Sequence, residues 1–300
     1  MKKKTYLFAL MTMALTLGSC SDNENGIGGE TSKYITVSTS IGNMTRVATD
    51  AKGGQTFEEG DEISVYAWTG DATVAPETRE RVVNNAINKL TNGSWVSTPQ
   101  MLWKNNRDKH YFIGVYPISA ISDLSAGEYT FDETKQVESD LLVAVNKDGL
   151  SYSADAQQTV PLTFTHVMAK LVVNLTYKNQ WGGIPTVEKV VVGNAAKEAT
   201  VNYLTKVVTP STTAKEDFSL PEITENTKYV SVIIPQEEVT QLTIVIGGKN
   251  FVYDNGTPFK LESGKITTVN LEVGRDEIKL GDVKITDWED GSTFGGEALN

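Results

Sequence analysis

Chemistry in this chain has few residues to work with. Cys20 is the single cysteine, and it closes the tetrapeptide Leu17-Gly18-Ser19-Cys20. A lone thiol behind small residues cannot form an intrachain disulfide, but cleavage between Ser19 and Cys20 would free it for acylation. Arg46 is the one charged residue in Ile41-Gly-Asn-Met-Thr-Arg-Val-Ala-Thr49. The Arg46–Val47 bond, among small polar neighbours, suits an Arg-specific protease. The plainer reading is a loop arginine kept for solubility. What lies on either side of it decides.

The other reactive residue types point away from catalysis. His110 and His166 are the only histidines, and neither His-x-x-x-His nor Cys-x-x-Cys occurs, so no metal or cofactor is expected. There is no Gly-x-Ser-x-Gly elbow. Asp and Glu are spread along loops, which reads as a solvated acidic surface rather than a catalytic pair. His110 reads as an interface or surface residue, and His166 as a buried or junction histidine bonded to backbone. Of the five tryptophans, Trp181 in Asn179-Gln-Trp-Gly-Gly183 reads as the most exposed and the candidate for stacking on a sugar. No enzyme is expected.

Residues 1–19 read as a secretory signal peptide, with three lysines, an apolar run too short to span a bilayer, and small residues. In that setting Leu17–Cys20 resembles the lipobox of bacterial lipoproteins, which implies acyl chains on Cys20 and anchorage in outer-membrane lipid. Residues 20–32 form a polar, glycine-rich tether whose acidic start resembles the surface-export signal of Bacteroides-type lipoproteins. The expected route runs through the periplasm to the outer membrane and the cell surface. Losing Lys2, Lys3 and Lys4 takes the formal charge from −11 to −14, which argues against a nucleic-acid partner.

The elements that must position these residues are β almost throughout. Alternating runs rich in Val, Ile, Thr and Tyr predict strands at 34–41, 62–68, 111–117, 140–145, 160–164, 168–177, 187–192, 199–208, 229–235, 242–246, 250–253 and 267–273. Gly247-Gly248 predicts a two-residue hairpin, and Asp254-Asn255-Gly256 a second turn. The one helix candidate is Arg79–Leu90, although its apolar spacing fits neither period cleanly. Short strands at roughly ten-residue intervals predict an all-β chain of sandwiches. A boundary near Phe164–Lys170 divides it into an N-terminal domain, 33–166, and a C-terminal domain, 167–300.

Several blocks, in order, resemble the fimbrillins, the Mfa-like and Fim-like pilin subunit lipoproteins of Bacteroidales. They are Thr45-Arg46, Phe57-Glu-Glu-Gly-Asp61-Glu-Ile-Ser-Val-Tyr66, Trp95 with Leu102-Trp103, and His110-Tyr-Phe-Ile-Gly-Val-Tyr-Pro117. Ser139-Asp-Leu-Leu142, Val160-Pro-Leu-Thr-Phe-Thr-His-Val-Met-Ala-Lys-Leu171 and Val283-Lys-Ile-Thr-Asp-Trp288 complete the set. The resemblance implies two transthyretin-like β-sandwich domains and a fimbrial subunit supporting cell adhesion. It also implies cleavage by an Arg-specific protease and polymerisation with other fimbrial subunits by donor-strand exchange. A glycan-binding or adhesin lipoprotein that never polymerises is the alternative.

Tyr34–Ile41 puts Ile35, Val37, Thr39 and Ile41 on one face, the pattern of a strand buried on one side. Burying Ile35, Val37 and Ile41 is worth about 5–8 kcal/mol, and cutting after Arg46 would leave that strand removable. A candidate donor is Asp276–Trp288, where Ile278 and Leu280 share one phase and Val283 and Ile285 the opposite one. The switch at Gly281-Asp282 predicts a bulge or turn. The plainer reading of this segment is an ordinary terminal strand.

Overall fold

The structure, a computed structural model, describes residues 33–42, 57–153 and 158–288. Ser19, Cys20, Arg46 and Val47 lie outside the described residues.

The first half supplies β1 (Thr36–Ile41), β2 (Glu62–Thr69), β3 (Val83–Thr91), β4 (Ser94–Thr98), β5 (His110–Tyr116), β6 (Gly127–Thr130), β7 (Leu142–Leu150) and β8 (Thr159–His166). All but β6 join one sheet in the order β1-β8-β7-β5-β2-β3-β4. The sheet curls until its two edges meet, where Tyr34 bridges Leu102. Its central strands are apolar on both faces. Ile63, Val65, Ala67, Phe112, Leu142 and Ala144 point into one core, and Tyr66, Trp68, Ile113, Val115 and Val143 into another. A continuous apolar run such as that of β2 is what a strand covered on both sides requires.

The second half supplies β9 (Ala169–Tyr177), β10 (Val187–Ala196), β11 (Glu198–Asn202), β12 (Val207–Pro210), β13 (Lys215–Ser219), β14 (Glu222–Thr224) and β15 (Lys228–Ile233). The chain ends in β16 (Gln236–Ile246), β17 (Lys249–Leu261), β18 (Lys265–Val273) and β19 (Ile278–Asp287). Two sheets, β13-β10-β16-β17 and β14-β15-β9-β18-β19, make a sandwich around Leu171, Val173, Val190, Val192, Leu242, Ile244, Val269 and Leu271. A small third sheet, β12-β11-β6, pairs the first half with the second. The chain is all-β, as expected. The division set at 166/167 falls in the gap between β8 and β9, yet one buried cluster runs from Tyr66 to Val273 across it.

Three local expectations change. Arg79–Leu90 is not a helix but a single 3-10 turn, Thr78–Glu80, followed by β3. Its broken period has a cause: Asn85 sits at φ 55° and the register with β2 slips between Val65 and Ala67. The slip shifts the buried positions from Val83 to Ala86, a helix-like spacing within a strand. The run 199–208 is a hairpin of β11 and β12 rather than one strand, turning where Lys206 adopts φ 61°. Residues 254–256 lie inside β17, opposite a register slip that pairs Gln241 with Asp254 but Val239 with Phe259. The Gly247-Gly248 turn is as expected, with both residues at positive φ, 58° and 73°.

Gly114 of β5 is where the first core leaves no room. A Cβ there would stand 2.6 Å from Phe164 Cζ and 3.1 Å from Leu162 Cδ1. Both rows of atoms are fully buried, so neither side chain can swing away. Gly114→Ala is expected to lower the unfolding free energy by about 1–3 kcal/mol, read as a lower urea midpoint at unchanged slope.

Candidate functional site

β1 is the element on which the expected chemistry turns. It runs parallel to β8 in an unbroken register from Thr36↔Thr159 to Ile41↔Phe164. Ile35, Val37 and Ile41 are 1%, 6% and 8% exposed, and their side chains reach Val160, Leu162, Phe164 and the central strands. The strand is thus part of the core and at the same time an edge of its sheet. Along the opposite side the described residues hold it at points. Ile35 N donates to Met101 O at 3.0 Å, Trp103 N to Lys33 O at 3.2 Å, and Trp95 Nε1 to Thr39 Oγ1 at 3.0 Å. Gly42 N then donates to Phe164 O at 2.8 Å, where β1 ends.

Phe57, ahead of β2, packs against the same core. Its ring meets Trp95, Tyr116 and Phe164 edge-on, at centroid distances of 5.3, 5.4 and 5.1 Å. Edge-to-face clusters of this kind add to the area they bury. The floor beneath β1 therefore comes from side chains well beyond the strand itself.

The Trp103 segment that bonds Lys33, ahead of β1, packs on a histidine that the sequence places at an interface or on the surface. His110 is instead fully buried. Its Nε2 accepts from Lys104 N at 3.0 Å, and Nδ1 lies 3.1 Å from Asp108 O, which assigns the neutral tautomer protonated at Nδ1. Trp103 packs edge-on against the ring at 5.0 Å. Burial pushes the His110 pKa down; the Asp108 and Leu150 carbonyls and the Asp108 charge oppose this, while the Lys104 charge adds to it.

The expected donor residues lie elsewhere, on β19. This strand is the other edge of the β14–β19 sheet and pairs antiparallel with β18. Leu271 pairs with Leu280 but Asn270 with Asp282, so Gly281 is the extra residue of a bulge. The bulge reverses the phase switch in the sequence. Ile278, Leu280, Val283 and Ile285 stand opposite Val273, Leu271, Val269 and Thr267, all buried, so the four share one face. Val283 and Ile285 remain 38% and 39% exposed on that face, whereas Ile278 and Leu280 pack against the core.

His166 is buried, and its Nδ1 lies 2.8 Å from Asp140 Oδ1, a carboxylate partner. Trp288, just past β19, stacks flat on the imidazole at 4.0 Å and 5°. Trp181 is not an open platform. Its Nε1 donates to Val273 O at 3.0 Å, Arg275 lies 5.6 Å over the ring, and Phe251 meets it at 5.8 Å. Among the described residues no group of three or more His, Cys, Asp or Glu is arranged to hold a metal ion.

The sequence profile of a family described as fimbrillin-like matches residues 45–288. A candidate fimbrium subunit of Bacteroides uniformis, Fim1C, is 24% identical over an alignment of 323 positions that covers 100% of this chain and 99% of that one. The crystal structure of a candidate cell adhesion protein of the same organism superposes with TM-score 0.63 at 20% identity, over 86% of this chain and 100% of that one. A second, from Bacteroides ovatus, gives 0.61 at 18% identity over 85% and 98%. The two structures share the fold.

His110 ties the stability of the fold to pH on the acid side. Its folded pKa lies below the ordinary 6.5, so the unfolded chain takes up the proton first as pH falls. The stability it contributes is complete above that value and lost below it, at no more than about 1.4 kcal/mol per pH unit. Urea midpoints measured from pH 7.5 to 5.0 should fall, and His110→Gln should flatten the fall.

Proposed function

The chain belongs to the fimbrillin-like family, and from that premise we propose that it is a structural subunit of a fimbrium. We read it as exported as a lipoprotein and joined to its neighbours by exchange of a strand. The observation that carries the reading is β1, whose side chains fill a core while, among the described strands, its backbone ladder runs to β8 alone. In this reading Cys20, freed by cleavage behind Ser19, carries the acyl chains that hold the precursor in the outer membrane. An Arg-specific protease then cuts between Arg46 and Val47, four residues after Gly42. β1 leaves, and a strand of another fimbrial subunit replaces it by β-augmentation. β19, with four apolar residues on one face, is the donor this chain would offer in turn. A head-to-tail contact that does not close on itself builds a filament.

The relatives support the coarser part: one is named as a fimbrium subunit and two others as cell adhesion proteins. A surface position on the fimbrium, a role in adhesion, and two domains divided at 166/167 belong to the same proposal. The rival reading, a non-polymerising glycan-binding lipoprotein, relied on Trp181, whose ring and N–H are already engaged.

The test is proteolysis of the purified precursor. An Arg-specific protease should release everything up to Arg46 under native conditions and yield higher oligomers with partner subunits, seen by mass spectrometry and size exclusion. Arg46→Ala should stay uncut and monomeric. A fragment that remains bound after cutting, with no oligomer, would overturn the proposal.

A further inference from the structure

We propose that Trp288 latches the C-terminal strand onto the end of β8, so that loosening β1 also loosens β19. The inference uses the reading above only to give the coupling a purpose; the coupling itself belongs to the isolated chain.

β8 is supported unevenly. β7 pairs with it over three residues, Leu142–Ala144 against Phe164–His166. From Thr159 to Thr163 its ladder partner among the described residues is β1. Removing β1 therefore strips the ladder from the first five residues of β8 and leaves the strand hanging from its last three. The last of those is His166.

His166 is where the other mobile candidate is fastened. Its ring, tied to Asp140 at 2.8 Å, forms the flat seat for the Trp288 indole at 4.0 Å. Lys170 of β9 approaches the same indole, with Nζ 5.2 Å from the ring centroid. Backbone contacts complete the seat. Trp288 N donates to Gly264 O at 3.0 Å, Gly264 N to Met168 O at 2.9 Å, and Ser263 Oγ to Val167 O at 2.8 Å. Lys265 pairs with Asp287 beside it. The end of β19 is thus built onto the β8–β9 junction, three to four residues from where β1 stops. β19 makes its ladder to β18 alone among the described strands, so this fastening governs how readily its exposed second half, Val283–Asp287, can leave.

Hydrogen exchange of the full chain, with no cleavage and no partner, tests this directly. Trp288→Ala should speed exchange of 278–288 at least tenfold while 171–175 of β9 keeps its protection, showing that the sandwich is intact. Val37→Thr, which places a hydroxyl in the core beneath β1, should speed both 159–166 and 278–288 at least threefold. In the double variant 278–288 should exchange no faster than in Trp288→Ala alone. His166→Phe, which keeps a stacking ring, should protect 278–288 better than His166→Ala. If Val37→Thr does not fold, Ile41→Val replaces it. The proposal is overturned if β1 variants speed 159–166 and leave 278–288 unchanged, or if the two substitutions act additively. Neither result bears on whether cleaved subunits polymerise, so the two proposals fail separately.

Discussion

The parallel ladder between β1 and β8 is the interaction on which the rest of the N-terminal structure depends. An edge strand ordinarily contributes little to a core, because one of its faces and one of its backbone rows meet water. β1 departs from that rule on one face only. Ile35, Val37 and Ile41 are buried, while among the described residues the backbone row away from β8 is met at points, by Met101, Leu102 and Trp103. The strand is strongly held by side chains and weakly held by backbone. It can therefore be both necessary to the core and replaceable by another strand of the same pattern.

That arrangement has consequences across the molecule because the large sheet has no solvent face at its centre. β2, β5 and β7 carry one core on each side. Tyr66 shows the link: the residues flanking it face the first core, while its own ring lies in the second, and its hydroxyl accepts from Ile121 N at 2.8 Å. A disturbance beneath β1 reaches the second core through the thickness of a single sheet. The pairing of β6 with β11, in a separate small sheet, joins the first half of the chain to the second.

What could be read from the sequence followed the range over which its patterns act. The all-β class, the Gly247-Gly248 hairpin and the one-sided face of β1 each rest on neighbours within a few residues, and each stands in the structure. The failures occur where a bulge resets the phase. β3 spaces its buried residues like a helix because Asn85 breaks the alternation. β19 presents two opposite phases in sequence and one face in space, because Gly281 absorbs the difference. The pairing of β1 with β8 and the stack of Trp288 on His166 span more than a hundred residues each. No local period encodes them. Alternation in Val160-Pro-Leu-Thr-Phe164 was the one visible sign that β8 faced the same core as β1.

A cut in the segment after β1 would change none of these contacts. It would change what the strand's departure costs. While the chain is continuous, β1 is tethered to Phe57 and confronts its groove at an effective concentration in the millimolar range. Three buried side chains worth about 5–8 kcal/mol would hold a free strand with a dissociation constant of roughly 1 µM to 0.2 mM at best. That is tight against millimolar tethered strand and loose against a dilute released one. Cleavage would thus act through molecularity alone, and an incoming strand with equal apolar content would need only to be more concentrated. Arg46 matters in this account for its place in the chain, behind a strand whose grip is poised between those two regimes.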